Sequence, residues 1–175
     1  MDRRRGMDGA RGLGGAGGGL GGEIGLAGVA AVKGAAGAGV ATAAVRFAGY
    51  ASVFDHVDRG GDVVRRGAFA DSLKRAGKVP LLWQHRSQHS IGFIEKLEED
   101  QRGLRVVGCV THPAAAAMVK RGALSGLSFG YRVTAARGGG AGPRELMTLD
   151  LAEVSLVAQP MQPLARVIAV DFNEE

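Results

Sequence analysis

Fifteen of the chain's thirty glycines lie before residue 45, and that imbalance sets how much of the sequence can fold. Runs such as Gly14-Gly15-Ala16-Gly17-Gly18-Gly19 and Ala35-Ala36-Gly37-Ala38-Gly39 offer almost no side-chain surface to bury. Burial there cannot offset the entropy of ordering the backbone. Residues 1–44 are therefore expected to form a flexible Gly/Ala-rich arm. Residues 45–175 remain as one domain of about 130 residues, long enough for a single hydrophobic core.

Charge and composition narrow the function. The formal net charge is +5 in a 175-residue chain, and the arm carries five basic and three acidic side chains against 17 and 14 in the remainder. That is a mild excess spread along the chain. A nucleic-acid binder clusters Lys and Arg and interleaves aromatics, and aromatics are only 5% here. Cys109 is the single cysteine, so no intrachain disulfide forms. Arg3-Arg4-Arg5 followed by small residues hints at a signal peptide, but Glu23 and Lys33 interrupt the run. Residues 24–45 are too glycine-rich for a membrane span. Neither a nucleic-acid nor a membrane partner is expected.

The domain reads as short strands with two helices. Val45–Phe54 alternates, with Phe47, Ala51 and Val53 on one face and Tyr50, Ser52 and Phe54 on the other. Asp58–Asp62 is a turn. Ala68–Ala76 reads as a short helix stopped by Gly77. Val79–Trp83 is an apolar strand ending at Gln84-His85, and Arg86–Ser90 reads as a polar loop. Ile91–Leu97 and Leu104–Val110 form a hairpin whose connection places Gly103 where a left-handed residue is useful. Pro113–Arg121 is a second helix closed by Gly122. Gly126–Thr134 is the clearest strand: Leu127, Phe129, Tyr131 and Val133 face one way, Ser128, Gly130 and Arg132 the other. Arg137–Gly142 reads as a flexible loop. Leu146–Leu151 and Val154–Val157 are two strands or one bent strand, and Ala165–Val170 is an edge strand. Strands and helices do not alternate, so the pattern predicts an α+β domain on an antiparallel sheet or barrel.

Three residues stand out chemically. Ser128 sits on its strand between Gly126 and Gly130, whose bare positions would let a substrate backbone approach. A hydroxyl becomes a nucleophile only when a base takes its proton. His85 ends an apolar strand and titrates near neutrality, as a general base should. Glu153 interrupts the apolar stretch Leu149–Val157 and needs a partner. Pairing with His85 would give it the orienting role of a triad acid. Each has a plainer reading: a strand serine facing water, a histidine donating to a carbonyl, a salt bridge from Glu153 to Arg132 or Arg166. Ser125 competes with Ser128 but lies in the connection before the strand. His85 and His89, with His56 and His112 scattered, lack an acid at zinc-site spacing. No metal or other cofactor is expected. Cys109 reads as a small core hydrophobe.

The ordered motifs Gly49-Tyr50-Ala51-Ser52-Val53-Phe54, Asp58-Arg59-Gly60-Gly61-Asp62-Val63-Val64, Gly67-Ala68-Phe69, Leu82-Trp83-Gln84-His85, Ile91-Gly92, Gly103-Leu104, Leu124–Tyr131 and Glu153–Val157 resemble the prohead (procapsid maturation) proteases of tailed phages and gene-transfer particles. The resemblance spans residues 46–170. It implies a herpesvirus-assemblin-like β-barrel with flanking helices, His85 as base and Ser128 as nucleophile. Glu153 matches the acidic third position, and His112 is its rival if the viral arrangement holds. The implied activity is serine endopeptidase cleavage of the scaffolding segment of the major capsid protein, and of the protease itself. The implied location is the bacterial cytoplasm, inside the immature capsid. Oxyanion donors would come from the backbone around Ser128 or from the Arg137–Arg144 loop. Two further readings are an inactive, scaffold-binding assembly module of the same fold and a basic DNA-packaging accessory.

Overall fold

The computed structural model describes residues 44–171. The expected N-terminal arm, Ala44 apart, lies outside the described residues. The elements run β1 (Val45–Val53), β2 (Asp62–Val64), α1 (Ala70–Arg75), β3 (Pro80–Trp83), β4 (Arg86–Glu99), β5 (Gly103–Val110), α2 (Pro113–Lys120), β6 (Gly126–Gly138), β7 (Arg144–Val157) and β8 (Val167–Val170).

One eight-stranded sheet takes all the strands in the order β2-β7-β3-β4-β5-β1-β8, with β6 on the other edge of β7. Most pairings are antiparallel. The exceptions are β2 and β3, which run parallel to opposite ends of β7, at Arg144–Leu146 and Val154–Leu156. The sheet curls until its ends meet. Leu127 N–H donates to the Ala165 carbonyl at 3.0 Å, Val167 N–H to Ser125 at 2.9 Å and Tyr50 N–H to Arg166 at 3.1 Å. This joins β6 to β1 through residues 165–167. Gly49 is required at the seam, because a Cβ there would collide with the Arg166 carbonyl. The expected antiparallel barrel with flanking helices is what forms.

The inward faces carry the core: Phe47, Leu81, Leu104, Val106, Leu127, Leu149, Val154 and Leu156 are fully buried. Each such side chain stabilises the fold by about 1.5–3 kcal/mol relative to exposure. Just before α1, Phe69 packs edge-on against Phe129 with ring centroids 5.1 Å apart. On the other helix His112 caps the N-terminus, its Nδ1 accepting from Ala115 N–H at 3.4 Å, with Pro113 in the first turn.

Several boundaries differ from the sequence reading, each for a physical reason. Arg86–Ser90 is the start of a 14-residue β4, not a loop, because its backbone pairs with β3 (Trp83 with Arg86, Leu82 with Ser90) while its side chains stay in water. Arg137 and Gly138 extend β6, and the reversal sits at 139–143, with positive φ at Gly138, the last strand residue, and at Gly139 and Gly140. β7 is one strand whose bends are taken up by register shifts against β6. The first helix shortens to Ala70–Arg75. Gly103 does not serve as a left-handed turn residue. Asp100 Oδ1 shapes that turn by accepting from Arg102 and Gly103 N–H at 2.7 and 3.0 Å. Gly103 is needed because a Cβ would strike the Ser52 carbonyl.

Gln162 ties the segment after β7 to the end of β1. Its buried amide accepts from Val53 N–H at 2.5 Å and donates to the Val53 and His56 carbonyls at 2.7 and 3.2 Å. Gln162→Ala strands buried backbone groups and is expected to destabilise the fold by about 2–3 kcal/mol. A lowered urea midpoint at unchanged slope is the measurement.

Candidate active site

The site begins with a two-residue turn. Trp83 pairs with Arg86, so Gln84 and His85 alone connect β3 to β4. Their φ values are 53° and 60°. A type I′ hairpin demands positive φ at both positions and usually recruits Asn-Gly. With ordinary L-residues the left-handed conformation costs roughly 1–2 kcal/mol at each. Hydrogen bonds to β7 hold the turn: Gln84 N–H donates to the Leu156 carbonyl at 3.0 Å and His85 N–H to Ser155 Oγ at 3.1 Å.

β7 supplies the acid. Glu153 and Ser155 are two apart on a strand and share a face. Glu153 Oε1 lies 2.6 Å from His85 Nδ1, and Oε2 accepts from Ser155 Oγ at 2.6 Å. An ionised carboxylate can only accept, so Nδ1 carries a proton, and in the neutral ring Nε2 is left with the lone pair. The hydrogen bond that Nδ1–H donates to Glu153 raises the His85 pKa above its ordinary value, partly opposed by burial and reinforced by the carboxylate's charge.

β6 supplies the hydroxyl. Ser128 lies directly across the ladder from Ser155, and Gly130 across from Glu153. Cross-strand partners project to one face with Cβ atoms about 4.5–5.5 Å apart. Ser128 therefore stands on the face of the His85–Glu153 pair, while Leu127 on the other face is buried in the core. Among the described residues the Ser128 hydroxyl makes no hydrogen bond to His85.

The flanking glycines do something other than admit a substrate. A Cβ on Gly130 would sit 2.5 Å from Glu153 Oε1 and 2.9 Å from its Cγ, and one on Gly126 would meet the Val157 carbonyl at 2.5 Å. The chain's own atoms fill both spaces, and Gly130 is the seat of the carboxylate. Neither salt-bridge alternative for Glu153 forms: Arg166 Nε donates to the Pro163 carbonyl at 2.9 Å, and Arg132 stands across from Asp150. His112 is occupied at Nδ1 by its helix cap and packs edge-on against Trp83 at 5.5 Å. Ser125 uses its carbonyl for the barrel seam. In the Arg137–Arg144 stretch, Arg144 is tied down by its N–H to the Gly61 carbonyl at 3.0 Å and its Nε to Asp62 Oδ1 at 2.8 Å. Cys109 lies on β5 across from Phe93 and Arg46, and burial pushes its thiol pKa up. A cavity of about 100 Å³ opens between Ser52, Phe129, Tyr131 and Gln162, bordered also by Ser128, but His85 and Glu153 lie outside its lining. No helix among the described residues is long and apolar enough to cross a membrane.

Ser155 and the left-handed turn escaped the sequence reading. The signal for Ser155 is a lone hydroxyl inside Val154-Ser155-Leu156-Val157, two residues after the acid. The Gln-His turn has no glycine or asparagine to mark it.

Comparison with known proteins points one way. A family model described as caudovirus prohead serine protease matches residues 35–175. The prohead protease of Enterobacteria phage HK97 is 37% identical over 94 residues, a match covering 50% of this chain and 42% of that protein. The aligned part thus spans less than half of that relative's length. The bacteriophage T4 capsid assembly protease superposes with a TM-score of 0.53 at 15% identity, covering 66% of this chain and 82% of that one. The varicella-zoster virus protease gives 0.50 at 15%, covering 75% and 65%. At such identities these two structures show a shared fold.

The His85–Glu153 pair has a linkage consequence. The folded-state pKa of His85 is raised, so the pair's stabilisation is complete below the unfolded histidine value of about 6.5 and is lost as pH rises through the folded value. Stability is expected to fall with rising pH across that window. Glu153→Gln should flatten the fall and bring the histidine titration, followed by NMR, back toward its ordinary value. Gly130→Ala displaces the carboxylate and should shift the titration the same way.

Proposed function

The chain belongs to the caudovirus prohead serine protease family, and from that premise we propose that it is a serine endopeptidase of capsid maturation. Its substrates are the scaffolding segment of the major capsid protein and the protease itself. It works inside the immature capsid, in the bacterial cytoplasm. The observation that carries this reading is the 2.6 Å bond from His85 Nδ1 to Glu153, with Ser128 on the same face, across the ladder from Ser155. An inactive assembly module would have no use for that pair.

The residues act in sequence. His85 Nε2 takes the Ser128 proton as Oγ bonds to the scissile carbonyl carbon, whose π electrons move onto oxygen. His85 then gives the proton to the leaving amine, the C–N bond breaks, and an ester on Ser128 remains. Water, deprotonated by the same nitrogen, attacks the ester, and the proton returns to Ser128 as the acid is released. Glu153 stays ionised throughout, fixes the tautomer and stabilises the transient imidazolium. Oxyanion donors fall to backbone N–H groups of β6 beside Ser128. The reading gives the third position to Glu153 over His112, and the bond between Glu153 and His85 Nδ1, the nitrogen an orienting group must hold, supports that choice.

A fluorophosphonate should label one peptide, the one containing Ser128. Ser128→Ala and His85→Ala should each slow processing of the capsid substrate by about a thousandfold or more. Normal processing by Ser128→Ala would overturn the assignment.

A further inference from the structure

Ser155 is fully buried between Val154 and Leu156, which are fully buried too. A hydroxyl in such surroundings costs about 1–3 kcal/mol unless it is bonded, and this one is bonded twice. It donates to Glu153 Oε2 at 2.6 Å and accepts from His85 N–H at 3.1 Å. The directions are unambiguous, because the carboxylate can only accept and the backbone amide can only donate. With the bond between Glu153 Oε1 and His85 Nδ1 at 2.6 Å, the three residues close a ring in which each is tied to the other two.

The ring controls two soft degrees of freedom. The last torsion of a glutamate is broad and roughly two-fold, so a carboxylate held by one oxygen can roll. Ser155 takes the second oxygen and stops the roll, leaving Oε1 for the imidazole. The backbone of His85 is left-handed, φ 60°, a conformation an L-residue holds only when its surroundings impose it. Ser155 takes the N–H of that residue. One hydroxyl thus fixes the orienting acid and the main chain that carries the base.

We propose that Ser155 is a positioning residue of the catalytic apparatus, locking Glu153 and the His85 turn so that imidazole Nε2 stays in place on the face that carries Ser128. It touches no substrate and acts through His85. The proposal rests on the protease reading above, and a purely structural alternative exists: a buried strand serine that satisfies itself.

The test compares Ser155→Ala, Ser155→Thr and Ser128→Ala in the full chain, by two readouts. The first is the rate of Ser128 modification by a fluorophosphonate, which needs the base and no peptide substrate. The second is the low-field NMR resonance of the His85 Nδ1 proton shared with Glu153, in histidine-labelled protein. Ser155→Ala should slow labelling by about ten- to hundredfold, the worth of a hydrogen bond to a charged group. It should also broaden or abolish the proton resonance while thermal unfolding stays cooperative. Ser155→Thr restores the hydroxyl and should recover both. Ser155→Ala with the resonance intact and labelling at the parent rate would overturn the proposal. If Ser155→Thr does not fold, the alanine variant's resonance still decides. Ser128→Ala separates the two ideas: it should lose labelling and keep the resonance. Labelling that survives Ser128→Ala removes the nucleophile assignment and leaves the role of Ser155 to the resonance alone.

Discussion

The structure depends on β7 having neighbours along both edges. β6 runs the whole length of one side, and the short parallel strands β2 and β3 take the two ends of the other. A strand paired on both edges cannot slide, because a one-residue slip would turn Val154 and Leu156 out of the core and Glu153 into it. The register of β7 therefore places Glu153, and through its contacts with Gln84 and His85 it also places the imidazole.

Charge pairs secure the far end of the same strand. Arg144 at the start of β7 holds Asp62 of β2 through two guanidinium nitrogens, at 2.8 and 2.5 Å. Arg65 reaches Asp55 and Glu145, at 2.9 and 2.5 Å. These pairs are partly exposed, so their contribution is specificity of pairing more than raw stability. They hold β2 in parallel alignment, where only three residue pairs form the ladder.

Much of this was legible in the sequence. Alternation gave away β1 and β6, since one face of each had to be apolar, and the polar connection at 99–103 marked β5 as the arm of a hairpin. Ser128 was readable because a serine between glycines breaks such a pattern, and Glu153 because a carboxylate inside an apolar run demands a partner. The resemblance named His85, and the residues around it supported the choice. What could not be read depends on contacts between distant segments. Arg86–Ser90 is a strand through its backbone alone, and nothing in five polar side chains signals that. Gly130 and Gly126 looked like openings for a substrate, yet the atoms that fill them come from β7 and the segment after it, which only the fold brings near. Ser155 looked like an ordinary strand residue for the same reason.

The turn that bears His85 meets its partners across 68 and 70 residues of chain. A growing polypeptide emerging from the ribosome holds the imidazole long before it holds the carboxylate. Until residue 155 has emerged and β7 has docked, the histidine sits on an unsupported hairpin with no orienting group. Such long-range closure comes late in folding. The order of synthesis thus sets the order of assembly here: the imidazole gains its carboxylate and hydroxyl neighbours only when the last long strand closes the barrel.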